Sequence, residues 1–86
     1  MLFEGEYLNG KRNGKGREYH FNTCILLFEG EYLYGKRNGK GREFYINGKL
    51  KFIGEYLNGK RWNGKGYNND GYLEFELKNR CGKIKV

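Results

Sequence analysis

Seven consecutive residues, Gly59-Lys60-Arg61-Trp62-Asn63-Gly64-Lys65, satisfy the spacing of a phosphate-binding loop, GxxxxGK. Such a loop cradles phosphates with backbone N–H groups and needs a Ser or Thr hydroxyl next to hold magnesium. Gly66 stands there instead, no helix follows, and two sister segments of the chain are one residue short of the spacing. Nucleotide hydrolysis is therefore not expected. A thiol–imidazole pair needs His20 beside Cys24 or Cys81. His20 and Cys24 flank one expected turn, but nothing orients the imidazole or supplies oxyanion donors. The chain has no Ser, so a serine triad is excluded. The glutamates recur at copied positions, as expected of charges on a strand face pairing with Lys and Arg rather than of a tuned acid–base pair. The two cysteines lack the close pairing of a metal site. No catalytic, cofactor or metal site is expected, and the two thiols are expected to be free and at least half-buried.

What remains is charge. The 86 residues carry a formal net charge of +7, which favours an acidic partner: a protein face, an anionic headgroup or nucleic acid. Much of the surplus sits in three copied pairs, Lys11-Arg12, Lys36-Arg37 and Lys60-Arg61.

The elements that must position these charges follow from a repeat. Phe3 to Tyr19 reads FEGEYLNGKRNGKGREY, and Phe28 to Phe44 repeats it with changes only at Tyr34 and Phe44. Phe52 opens a third copy, FIGEYLNGKRWNGKGYN, with Trp62 as an added residue, and a worn fourth begins near Leu73. The units span about 3–27, 28–51, 52–72 and 73–86 within one domain, 1–86. Each reads as a β-hairpin. Phe3, Gly5 and Tyr7 alternate onto one face and Glu4, Glu6 and Leu8 onto the other. The span from Asn9-Gly10 to Asn13-Gly14 reads as the turn. Frequent glycine disfavours a helix. The expected fold is all-β: a single-layer antiparallel meander of about eight strands, near 2–8, 15–21, 24–33, 40–46, 49–57, 65–69, 72–79 and 82–86. Rings are expected to cover bare glycine backbone, with Phe3, Phe28 and Phe52 in one row and Tyr7, Tyr32 and Tyr56 in another. Cys24 and Cys81 then fall roughly 24 Å apart, five strand spacings, too far for a disulfide.

The pattern Phe3-x-Gly5-x-Tyr7-x-x-Gly10-x-x-x-Gly14-x-Gly16, written again from Phe28 to Gly41, resembles the MORN (membrane occupation and recognition nexus) repeat. The third copy matches at Phe52, Gly54, Tyr56 and Gly59 and then departs at Trp62. The resemblance implies stacked hairpins in an elongated, twisted sheet. It also implies scaffolding between proteins, with lipid binding as a further proposal.

Two functions are expected from different classes. A protein-interaction scaffold would use the aromatic rows Phe3, Tyr7, Phe28, Tyr32, Phe52 and Tyr56, left uncovered by a second layer. A peripheral binder of anionic phospholipid membranes would use a basic ridge of turn residues, Lys11, Arg12, Lys36, Arg37, Lys60 and Arg61. Single-stranded nucleic acid is disfavoured, because the rings are committed to the sheet. The open first strand permits pairing with another copy. With no signal peptide or apolar span in the sequence, a cytoplasmic address is expected.

Overall fold

The computed structural model describes residues 2–79 in full and 81–85 through their backbone. Eight strands run in chain order: β1 (Leu2–Leu8), β2 (Lys11–Tyr19), β3 (Leu26–Leu33), β4 (Lys36–Phe44), β5 (Leu50–Leu57), β6 (Lys60–Tyr67), β7 (Leu73–Lys78) and β8 (Cys81–Lys85). They form one antiparallel sheet in the order β1 to β8, each strand paired with its sequence neighbours. This is the expected meander, measuring 41 × 30 × 13 Å, the thickness of a single layer. Among the described residues no helix is long and apolar enough to cross a membrane.

The hairpin turns are tighter than the sequence suggested. Asn9-Gly10 alone reverses the chain, with φ of 51° and 79°, the positive pair that a two-residue turn matching strand twist requires. The return strand therefore starts at Lys11 and not at Lys15. The second Asn-Gly is a bulge inside that strand. Between the pairs Tyr7↔Arg12 and Gly5↔Gly16, Glu6 faces three residues, Asn13, Gly14 and Lys15. Gly14 holds φ at 94°, and the Glu6 carboxylate closes the bulge by accepting the Lys15 N–H at 2.7 Å. Glu31 does the same for Lys40 at 2.8 Å. Bulge and following turn are also tied together: Gly35 N donates to Arg12 O and Gly59 N to Arg37 O, both at 2.8 Å.

Trp62 resolves differently from its reading as an added residue. It is the single bulged residue of β6, lying between the pairs Tyr56↔Arg61 and Glu55↔Asn63. The third bulge is thus shorter than the first two, and Gly64 takes the place opposite Gly54 that Gly41 takes opposite Gly30. At the other edge, the β2–β3 connection is longer than expected. His20 N donates to Ile25 O and Cys24 N to His20 O. Cys24 lies in this loop with φ 58°, ahead of β3 rather than in it. Its thiol is free and exposed, which corrects the expectation of a half-buried one; the Cys81 side chain lies outside the described residues.

Tyr34 occupies the position held by Asn9 and Asn58, with φ 49° and its ring exposed. An L-residue with a large side chain pays about 1–2 kcal/mol for this conformation, which asparagine tolerates by local hydrogen bonding. Tyr34→Asn is expected to raise the unfolding free energy by about 1 kcal/mol, read as a thermal midpoint about 4–8 °C higher.

Candidate functional site

Period-two alternation gives the sheet two unlike faces. On one, Phe3, Phe28 and Phe52 alternate with Tyr7, Tyr32 and Tyr56. The first two phenylalanines meet the tyrosine of the next unit edge-on: Phe3 with Tyr32 at 5.2 Å and Phe28 with Tyr56 at 5.3 Å between centroids. Phe28 and Phe52 are 0% exposed and Tyr32 and Tyr56 4%. The expectation of an uncovered aromatic face is therefore corrected for these four. Phe3 is half-buried, and Tyr7, at the open end, is exposed.

The cover is made by the arginines assigned to a turn ridge. Because the turn closes at Gly10, Arg12 lies in β2 opposite Tyr7, and its guanidinium sits 4.1 Å from the Phe3 ring centre. Arg37 lies 4.0 Å over Phe28 and Arg61 4.7 Å over Phe52. Such stacking is worth ~0.5–2 kcal/mol, more as water is excluded. Two carboxylates complete the layer. Glu18 accepts from Arg37 Nε and Nη2, both at 3.1 Å, and from the Tyr32 hydroxyl. Glu43 accepts from Arg61 Nε and Nη2, both at 2.8 Å, and from the Tyr56 hydroxyl. Burial would raise the Glu18 and Glu43 carboxyls, but the arginine and tyrosine hydrogen bonds outweigh it and hold both below the usual value. Burial and the neighbouring carboxylates push the Tyr32 and Tyr56 hydroxyls up, well beyond the normal tyrosine range.

The third unit shows how these groups depend on one another. The shortened bulge of β6 places Gly66 opposite Phe52, where Glu43 stands opposite Phe28. The residue that would use that carboxylate, at the tyrosine position of the fourth unit, is Leu77. Hydroxyl and carboxylate are lost together, and Phe75 stacks beside Phe52 instead.

The opposite face has bare backbone as its floor at the glycine positions, where an added Cβ would point back toward the rings. The cross-strand register runs Gly5, Gly16, Gly30, Gly41, Gly54 and Gly64, one bare row across six strands. A Cβ on Gly30 would lie 2.6 Å from Gly41 Cα and 2.9 Å from the Phe28 ring, so the row is fixed by close approach. Above it runs a groove of about 810 Å³, lined along β1–β5. One wall is the cross-strand row Glu4, Arg17, Glu29, Arg42 and Ile53. Arg17 lies 3.9 Å from Glu4 and 3.3 Å from Glu29, which also pairs with Arg42. The other wall is Lys15, Glu31, Lys40 and Glu55. Every ion pair among the described residues uses an arginine, so the Lys15 and Lys40 ammonium groups are free.

Beside the hairpin turns, this face carries a feature that the sequence reading missed. Leu8, Leu33 and Leu57 are cross-strand partners of Lys11, Lys36 and Lys60, and all six are exposed. The ridge is thus a line of lysines and leucines, not of Lys-Arg pairs.

Of the groups weighed for chemistry, His20 and Cys24 are joined through the backbone, Cys24 N donating to His20 O at 2.8 Å. His20 Nδ1 faces Asn22 N and Thr23 Oγ1, both at 3.3 Å. Gly59–Lys65 forms a turn and a strand. Among the described residues, no cluster of His, Cys, Asp and Glu is arranged to hold a metal ion.

Comparison with known proteins agrees with the repeat. The family model of the MORN repeat, a non-catalytic repeat family, matches residues 3–23 and 28–49, together half of the chain. The matched units are those with the full bulge and with the glutamate, Glu18 or Glu43, that the layer is built on. No curated protein matches the chain.

Proposed function

The chain belongs to the MORN repeat family, and from that premise we propose that it is a non-catalytic scaffold that binds an extended segment of a partner protein in the glycine-floored groove. The observation that carries this reading is the groove itself. Its walls are two residues apart along a strand, about 7 Å, narrower than the ~10 Å of a helix. Its length over five strands is roughly 19 Å, which an extended segment of about six residues spans. Free ammonium groups at Lys15 and Lys40 offer charge to an acidic side chain, and Ile53 offers an apolar end. This moves the contact from the ring face, whose central residues are buried, to the opposite one.

A second reading rests on the lysine–leucine edge. Lys11, Lys36 and Lys60 would meet anionic headgroups while Leu8, Leu33 and Leu57 enter the interface. Each basic residue near such a surface adds ~1 kcal/mol. Arg12, Arg37 and Arg61 contribute less, being held over rings. Both readings assign the protein to the cytoplasm, in keeping with a free, exposed thiol at Cys24.

Two charge-reversal variants separate the readings. Lys15→Glu with Lys40→Glu is expected to weaken recovery of the native partner more than tenfold, with an unchanged circular dichroism spectrum. Lys11→Glu, Lys36→Glu and Lys60→Glu together are expected to leave that recovery intact. The opposite pattern, joined to sedimentation of the wild type with phosphatidylserine vesicles, would replace the scaffold reading with the membrane one.

A further inference from the structure

The first two junctions between units each close around one carboxylate. Glu18 of β2 meets Tyr32 of β3 and Arg37 of β4; Glu43 of β4 meets Tyr56 of β5 and Arg61 of β6. The first unit has the same tyrosine and arginine, and among the described strands none pairs with the outer edge of β1. Tyr7 is 59% exposed, and its hydroxyl has no hydrogen-bond partner among the described residues. The carboxylate nearest Arg12 is Glu18, at 3.9 Å, which Arg37 already holds at 3.1 Å. β1 pairs with β2 alone among the described strands, so its outer edge keeps unpaired backbone groups, a template for another strand.

We propose that this edge is a docking site for an extended segment of a partner protein carrying the sequence Gly-Arg/Lys-Glu, added antiparallel to β1. The internal junctions define the chemistry position by position. Opposite Phe3 the incoming strand places glutamate, as Glu18 stands opposite Phe28, where Tyr7 and Arg12 await it. Opposite Gly5 it needs glycine, as Gly16 faces Gly30, because a Cβ there would press on the tyrosine ring: Gly16 and Gly41 each have such a ring at 3.0 Å. Between them it places a cation opposite Glu4, as Arg17 faces Glu29. Glu4 has room for one: it accepts from the Tyr19 hydroxyl at 3.0 Å, its arginine partner lies 3.9 Å away and its side chain is 69% exposed. A second copy is a poor occupant. The last described strand, Cys81–Lys85, contains no glutamate to supply the required carboxylate. This site is independent of the groove reading, since it uses the edge and the ring face.

The test uses a labelled synthetic peptide, KRNGKGREY, titrated with the intact protein by fluorescence anisotropy. Saturable binding is expected, weakened at least tenfold when the peptide glutamate becomes glutamine or its second glycine becomes valine. Tyr7→Phe in the protein is expected to weaken binding severalfold with no change in thermal midpoint, because that hydroxyl has no hydrogen-bond partner among the described residues. Absence of binding, or equal binding of the glutamate and glutamine peptides, would overturn the proposal. So would sedimentation showing a dimer that Tyr7→Phe dissociates, which would make a second copy the occupant.

Discussion

Phe28→Ala is expected to lower the unfolding free energy by about 4 kcal/mol. A chain of this length holds about 4–13 kcal/mol in total, so this one change removes a large part of its stability. The ring is fully buried, lies edge-on to Tyr32 and Tyr56 and carries the Arg37 guanidinium. Its loss empties the centre of the molecule. The mechanism has a second signature. A Cβ at Gly41 would lie 2.7 Å from Phe28 Cζ, so Gly41→Ala alone is expected to cost about 1–3 kcal/mol through overpacking. With Phe28 already alanine, the space is free and the same change is expected to cost little. The double-mutant cycle should therefore show strong coupling. Additive losses in denaturant titrations would mean that the ring does not fill the space over Gly41. Should Phe28→Ala fail to fold, Phe28→Leu carries the same cycle at smaller cost.

Glu18→Gln is expected to cost roughly 3 kcal/mol near neutral pH, the lower end for breaking a buried ion pair. Glu18 is 6% exposed, and glutamine there keeps one acceptor oxygen, loses the charge and turns a donor NH2 toward groups that themselves donate, the Arg37 guanidinium and the Tyr32 hydroxyl. The pH dependence has a definite sign. Glu18 and Glu43 titrate below their ordinary 4.5 in the folded protein. Their contribution is complete above that value and is lost as pH falls through the folded-state value. Tyr32 and Tyr56 titrate above their ordinary 10.0, so their contribution is complete below pH 10 and is lost as pH rises further. Stability should hold level between these limits and fall on the acid side. The gap between wild type and Glu18→Gln should narrow below pH 4.5, once the wild-type carboxyl also becomes neutral. A gap unchanged at pH 3 would show that the carboxylate charge is not what the arginines require.

The architecture was legible because its signals are periodic. Alternation of Phe, Gly and Tyr gave the faces, and copying gave the meander and both ring rows. The layer over the rings was hidden by a competition between two good turn signals. Asn9-Gly10 and Asn13-Gly14 both favour positive φ, and reading them as a single turn moved Arg12 from a strand to an edge. Two residues suffice for the reversal, because an Asn-Gly turn already matches the twist of the flanking strands. The second pair was then free to bulge. One trace of the layer was present in the chain: the third unit has no glutamate at the Glu18 position and the fourth has leucine for tyrosine, changes that make sense only if the two groups touch. The groove was hidden for another reason. A row of glycines across six strands is a property of register, which the two bulge lengths set and alternation alone does not reveal.

The interlocking of neighbouring units bears on how the chain reaches this structure. Tyr32 packs on Phe3 of the unit before and donates its hydroxyl to Glu18 of that same unit, and Tyr56 repeats the arrangement one unit on. No strand waits for a distant one, so every contact closes a loop of hairpin size, and the entropy of each closure stays small. A β-sheet usually folds slowly because its pairings are far apart in the chain. Here each strand pairs only with its neighbours in the chain, each new hairpin finding its template already formed beside it.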